Sequence, residues 1–583
     1  MTTVDFTVPV PEAKGKICRQ TSRGRVYIQY ILDRTYDPKK KYNKPKRTCI
    51  GRLAEDGVSM YPNENFFKFF PDTPPPLPER RPHARRAPSL HAGPHIVFDR
   101  IIKDYRLDEL LRRQFGRNAG LVLDLACYMI VEGQNQAQHY PQYALMHPLF
   151  TEGMHVFSDS KISDFLNEVT QEQILGFLSD WNAERDRSRI YVSYDSTNKN
   201  SQAGDISFVE FGNAKDDKGL PIVNIGVATE VTNQIPLFYD PFCGSINDVS
   251  QFECFVNKAM SYGYQDVGFI LDRGYFSRKN IEYMDEHGFS FVMMVKGCRK
   301  LVHSIVDEKR DTFEAKSEYA MRAHDLSGTT SRRKLFEDDK KERFFHLYFS
   351  PIKMAKERRE IDESIALMEK HLAACQGEKV ELGDEYRDLY DLFFDPQDRM
   401  LFGKLKHEVV DEMYKRCGYF CIVTSEEMSA LDAYELYRGR DVSEKLFSME
   451  KTFLGSRSFR VHSDVSMSTK LFIEFIALII RQRFYNLLKN EVKKLPVRKN
   501  CMTVPAALGE LKKIYLTRVN NSDYQLDQPV TKSQQTILKA FGLTKDDVSV
   551  ELAKISKILK AADAEMAREP EENSEEENDN GEA

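Results

Sequence analysis

The sequence predicts an α/β protein: a mixed sheet flanked by helices, with an insertion before its last functional helix, preceded by a β-rich module and a helical domain. Three observations predict it. Two apolar runs, residues 189–194 and 267–271, have strand composition, and each leads into an aspartate, Asp195 and Asp272. Strand-like and helix-like segments alternate around the second run, as in a mixed sheet. Residues 96–186, ahead of both, carry helical periodicity instead.

Residues 1–75 read as a small basic β-rich module, with strand composition over 25–32 and a basic loop over 38–47. Residues 76–95 read as a Pro/Arg linker, entered through Pro74, Pro75 and Pro76. The helical domain, 96–186, shows its spacing in Ile101, Ile102, Tyr105, Leu107, Leu110 and Leu111, with further short helices over 159–165 and 170–178. Trp181, the single tryptophan, is expected in its core.

The mixed sheet is expected over 187–296 and 416–492. Strands are predicted at 189–195, 206–211, 222–230, 235–239, 267–272, 289–296 and 418–423, with helices at 248–262 and 278–287. Residues 297–415 read as an insertion. In it Met354, Ile361, Ile365, Met368 and Leu372 recur as on one face of an amphipathic helix, and 344–349 suits a strand. A C-terminal helical region, 493–566, and a disordered acidic tail, 567–583, complete the chain.

Composition narrows the function. The 583 residues carry a net charge of −5, but 569–583 hold eight acidic and no basic side chains; without them the net charge is +3. The basic residues cluster at 38–47 and 80–86, giving the local positive field that phosphates attract. Ten cysteines occur without a Cys-x-x-Cys pair, which fits a reduced, cytoplasmic protein. The N-terminal residues Met1-Thr2-Thr3-Val4-Asp5 do not start a secretory signal, and the apolar run 471–480, interrupted by Glu474, suits a buried helix rather than a membrane span. No phosphate-binding Gly-x4-Gly-Lys-Ser/Thr loop and no Gly-x-Ser-x-Gly elbow occur, so no nucleotide cofactor is expected. His407-Glu408-Val409-Val410-Asp411 lacks the second histidine of a zinc helix.

The most specific pattern lies at 434–452, which reads as a helix. Tyr437, Arg440, Glu444 and Lys451 fall at offsets that, at about 100° per residue, confine them to an arc about 60° wide. One face then presents a carboxylate beside an arginine, a lysine and a phenol. Asp195 and Asp272 taken singly are equally suited to capping turns.

Tyr437-x2-Arg440-x3-Glu444-x6-Lys451 resembles the Y-R-E-K signature of DDE transposases of the insertion-sequence-four group. Tyr194-Asp195-Ser196-Thr197 resembles that group's first aspartate block, and Leu271-Asp272-Arg273-Gly274-Tyr275-Phe276 its second. Order and spacing agree over about 189–480, with Gly244-Ser245 standing where the group usually has Gly-Asn. The resemblance implies a ribonuclease-H-like catalytic domain in which Asp195, Asp272 and Glu444 are catalytic and hold two divalent metal ions, Mg2+ or Mn2+. It implies that Tyr437, Arg440 and Lys451 bind DNA phosphates. It also implies double-stranded DNA partners, namely element terminal repeats and target, and a homodimer in the synaptic complex of a bacterial or archaeal, nucleoid-associated protein. Three carboxylates brought together repel unless hard cations neutralise them, and such cations suit phosphoryl transfer. Two alternatives stay open: a catalytically inactive or host-recruited DNA-binding derivative, and a nuclease of the same fold without strand transfer.

Overall fold

The computed structural model describes residues 7–575 apart from 23–24, 38–40, 55, 72, 74–85, 188, 202–205, 213–218, 247, 296–298, 441–457, 497–499 and 519–522. The chain divides into two compact units, Met1–Arg85 and Arg86–Ala583.

The first unit is the expected β-rich module. Strands β1 (Val8–Pro9), β2 (Ile17–Ser22), β3 (Arg25–Asp37), β4 (Tyr42–Leu53) and β5 (Ser59–Pro62) form an antiparallel sheet in the order β1-β5-β4-β3-β2. Helix α1 (Glu64–Phe69) starts at Asn63, whose side chain accepts from the Asn65 amide, a standard N-cap. Val8, Ile28, Ile50, Met60 and Phe66 make the core.

The second unit opens inside the segment read as a linker. Strand β6 (Ser89–His91) lies there, and α2 (Gly93–Asp104) begins before residue 95. Leu90 is fully buried, so even a short apolar step in a polar stretch is drawn into the core. Helices α3 (Leu107–Phe115), α4 (Ala119–Glu132), α5 (Tyr140–Met146), α6 (Asp159–Glu168) and α7 (Gln171–Ala183) follow. Thr170 and Gln173 close a capping box at the start of α7. Trp181 is fully buried, and its indole N–H donates to the Pro236 carbonyl at 3.0 Å.

The sheet then begins with β7 (Ile190–Asn200), β8 (Ile222–Glu230) and β9 (Ile235–Cys243), joined antiparallel. Helix α8 (Asp248–Ser261) leads to β10 (Val267–Leu271), and α9 (Arg278–Glu286) to β11 (Ser290–Met294). Both β10 and β11 run parallel to β7. The predicted strand at 206–211 is reduced to a single bridge, Glu210↔Ile222. β8 already has strand partners on both sides, so it has no free edge for a third.

Residues 297–415 extend the same sheet rather than standing apart from it. After α10 (Arg299–Lys309) come β12 (Ala320–Met321), β13 (Leu326–Lys334) and β14 (Glu342–Phe349). Helices α11 (Pro351–Ala374) and α12 (Asp384–Leu389) and the hairpin β15 (Tyr390–Phe394) and β16 (Met400–Leu405) form a satellite around Leu372, Cys375, Leu382, Tyr390 and Met400, and α13 (His407–Lys415) follows. β17 (Tyr419–Thr424) then slots antiparallel between β11 and β14, giving nine strands in the order β12-β13-β14-β17-β11-β10-β7-β8-β9.

Helix α14 (Ala430–Gly439) packs on β10, β11, β13, β14 and β17. The predicted helix over 434–452 is described only as far as Arg440. Helix α15 (Asp464–Val492) contains the apolar run of 471–480 and is buried between the sheet edge at β9 and helices α2, α4, α6 and α7. The helical region and the sheet therefore share one continuous core. No helix among the described residues is long and apolar enough to cross a membrane. Near the C-terminus, α16 (Val504–Leu511), β18 (Tyr515–Thr517), β19 (Gln525–Leu526) and α17 (Lys532–Ala540) precede α18 (Lys545–Glu575), and β18 pairs back onto β6. α18 runs past residue 567, into the segment expected to be disordered; Ala561, Ala562, Ala564, Glu565 and Ala567 are strong helix formers.

Candidate active site

The register of β7 and β10 brings the two aspartates together. Their parallel pairing runs from Val267↔Ile190 to Leu271↔Tyr194, so Asp272 and Asp195 are the next residues on adjacent strands. Strands in a sheet lie about 4.8 Å apart. The carboxyl end of parallel strands is where α/β sheets gather their ligands.

The two positions differ. Asp195 does not end its strand: β7 continues to Asn200 because β8 keeps pairing with it as far as Asn200↔Ile222. Its Oδ1 accepts from the Ser196 amide at 2.9 Å. Asp272 does end β10 and occupies the N-cap position of a short 3-10 turn, Arg273–Tyr275, yet its side chain makes no capping hydrogen bond. The carboxylate instead faces Arg440, with Nη1 3.5 Å from Oδ1. The space beside it is open: a Cβ at Gly274 would stand 3.8 Å from Asp272 Oδ2, in ordinary van der Waals contact.

Arg440 arrives on α14. Ser429 caps that helix, its hydroxyl accepting from the Asp432 amide at 3.1 Å. Tyr437 is 9% exposed and belongs to a cluster with Ile270, Val292, Tyr348 and Ile422, which fixes the helix on the sheet. The Arg440 guanidinium carbon lies 5.5 Å from the Tyr437 ring centroid, within cation–π range. Gly439 permits the close approach at the helix end, since a Cβ there would fall 2.1 Å from Val231 Cγ1.

Of the six candidate residues, the structure gathers Asp272, Arg440 and Tyr437, with Asp195 on the neighbouring strand. Tyr437 is largely in the core rather than on an open face, because the helix buries that side against β10 and β11. Glu444 and Lys451 lie outside the described residues. Among the described residues no three His, Cys, Asp or Glu side chains cluster as a metal site would require. The donor type suits a hard divalent cation, since Asp195 and Asp272 are carboxylates at neighbouring strand positions, and the Arg440 guanidinium now pairs with the Asp272 oxygen that such a cation would take.

Sequence reasoning missed the support behind Asp195. Lys199, four residues further along β7, is fully buried and pairs with the buried Glu474 of α15. Asn135 Nδ2 donates to Glu474 Oε1 at 3.4 Å. Lys470, one helical turn away, donates to the Phe459 carbonyl at 2.5 Å, and burial pushes its ammonium down to about 8. The signal was present: an acid interrupting an apolar run, and a lysine prolonging a buried strand.

Residues 195–480 match the Transposase DDE domain family. The match takes in just under half of the chain, and it begins at Asp195 itself. The matched segment runs from within β7 into α15 and takes in the strands of the nine-stranded sheet that follow. No curated protein matches the sequence. One similar solved structure is a cryo-EM structure of a piggyBac transposase synaptic complex with hairpin DNA, with 8% identity and a TM-score of 0.28. The likeness covers 70% of this chain and 65% of that one, so the chain spans less than two thirds of that relative. At that TM-score the likeness decides nothing about fold or partner.

Proposed function

We propose that this chain is a DNA transposase of the insertion-sequence-four type that cleaves phosphodiester bonds at element ends and transfers the strands to target DNA. The observation that carries the reading is the placement of Asp195 and Asp272 at neighbouring positions of parallel strands, with Asp272 paired to Arg440, within the segment that matches the transposase DDE domain. Three antiparallel strands followed by two parallel ones support a ribonuclease-H-like catalytic domain over 187–296 and 416–492.

Asp195, Asp272 and Glu444 are the residues that would hold two Mg2+ or Mn2+ ions. When bound, such ions stabilise charge on the attacking and leaving oxygens of a phosphoryl transfer. The protein's own part is positioning. The β7–β8 ladder fixes Asp195, just beyond the last pair with β10, and α14 delivers Arg440 to the same edge of the sheet. A guanidinium there can donate two parallel hydrogen bonds to a phosphate, holding the scissile group in place. Tyr437 acts beneath it, keeping the guanidinium over its ring, and Lys451 adds a point charge further along. Double-stranded DNA is the substrate, and a homodimer pairing two ends in the cytoplasm is the working form. The helical region 96–186 and the basic module supply end recognition.

The test is cleavage, with Mg2+, of DNA carrying the sequences that flank this gene. Asp195→Asn and Asp272→Asn are each expected to lower cleavage roughly a hundredfold or more while duplex binding persists. Unimpaired cleavage by either variant would refute the assignment. Joining of the cut ends to a second DNA separates a transposase from a nuclease.

A further inference from the structure

We infer that the β3–β4 hairpin of the N-terminal unit is a DNA-reading ribbon that lies in the major groove; the inference rests on the DNA transposase reading above. The inner part of the hairpin belongs to a sheet. There Ile28 and Ile50 are fully buried, β2 flanks β3 between Arg25 and Tyr30, and β5 flanks β4 between Gly51 and Leu53.

Beyond a register shift at Ile31/Asp33 the hairpin leaves that sheet. Its outer pairs, Asp33↔Lys46 to Asp37↔Tyr42, have no strand on either side among the described residues. Five consecutive residues, 32–36, are exposed. Successive side chains in a strand point to opposite faces, so both faces of the ribbon are open. A two-stranded ribbon alone is marginally stable in water, and this one projects roughly 17 Å, from five pairs at about 3.4 Å each. Tyr36 is 58% exposed and Tyr42 45%. Such a projection has the form of a contact element awaiting a partner.

Charge identifies the partner. Among the described residues of the hairpin, Arg34, Lys41, Lys44, Lys46 and Arg47 stand against Asp33 and Asp37, an excess of three cations, to which the sequence adds Lys39 and Lys40. Arg34 is tied back to the module through the Gly15 carbonyl at 3.0 Å. Lys41, Lys44, Lys46 and Arg47 form no ion pair with a carboxylate among the described residues. Unpaired cations interleaved with tyrosine and asparagine match a phosphate backbone with base edges between its strands. Width selects the groove: a two-stranded ribbon enters the ~12 Å major groove and not the ~6 Å minor groove.

The test uses the full chain with Lys44→Ala, Lys46→Ala and Arg47→Ala combined, all at exposed positions. Affinity for a mixed-sequence duplex of about three helical turns is measured across a salt series. Each lost phosphate contact should make the log–log slope shallower by about 0.9, so a change of about two to three is expected, with guanine N7 methylation protection lost. Lysine-to-arginine changes at 44 and 46 should retain binding and exclude misfolding. An unchanged slope with duplex binding and metal-dependent cleavage intact overturns the ribbon alone. Shallower slope with no N7 protection in the wild-type complex overturns the groove assignment. Loss of self-association with DNA binding unchanged would make the ribbon a protein contact and also overturn the proposal. Wild-type chain that neither binds nor cleaves duplex DNA removes the transposase reading and the ribbon with it.

Discussion

At Gly439 the absence of a side chain does more than any neighbouring charge. The helix end carrying Arg440 meets Val231 at a distance where a Cβ cannot fit. Gly439→Ala is expected to cost about 1–3 kcal/mol, as overpacking does, and to move Arg440 away from Asp272. A lowered thermal midpoint together with a fall in cleavage checks this; unchanged values of both would contradict it. Arg440→Lys keeps the charge but loses the planar fork, so cleavage should fall while the thermal midpoint holds. The pairing of Asp272 with Arg440 is foreshadowed by the two short motifs that carry them. Burial of Tyr437 was not legible. A phenol on a charged-looking helix face gives no sign that the sheet beneath, through Ile270 and Val292, will cover it.

Among the elements, α15 has the sharpest consequence. Lys199 and Glu474 are both removed from water, and neither can lose its partner cheaply. Glu474→Ala should destabilise by about 3–5 kcal/mol, because it strands a buried ammonium. Pairing Lys199→Met with Glu474→Leu should recover most of that loss, as apolar replacements of buried ion pairs do. Denaturation of the single and double variants measures the difference; a double variant no better than Glu474→Ala would argue against the pairing. Helices and strands of the core were mostly visible as apolar periods. The end of β7 was not: its polar continuation Ser196-Thr197-Asn198-Lys199 reads as a loop, yet β8 pairs with all of it. Sheet partners, not strand composition, decide where that strand stops.

Across the whole molecule, three buried histidines weaken the fold in acid, and Asp124, which burial pushes up to about 7, opposes them over the same window. Burial pushes His95 and His147 down to about 3 and His346 to about 4, from an ordinary 6.5. The unfolded chain takes up protons near 6.5 that the folded chain refuses, so stability should fall as pH drops below 6.5 toward 4. Replacing His147 with Gln should flatten part of that slope in thermal midpoints measured across this range. An unaltered slope would mean that other groups govern it. The nine-strand order could not be read from the sequence. β17 lies between β11 and β14 through pairings that span 128–132 residues to β11 and 70–80 to β14, and no local pattern encodes such contacts.

The unequal lengths of β7 and β10 make the site mechanically lopsided. Asp195 sits like the fixed jaw of a vice, laddered to β8 on both sides of itself and bolted through Lys199 to α15. Asp272 is the sliding jaw, beyond the last rung of β10 and followed by a single turn. Any change in the gap between the carboxylates falls to that turn, while α14 stays clamped to the sheet through Tyr437.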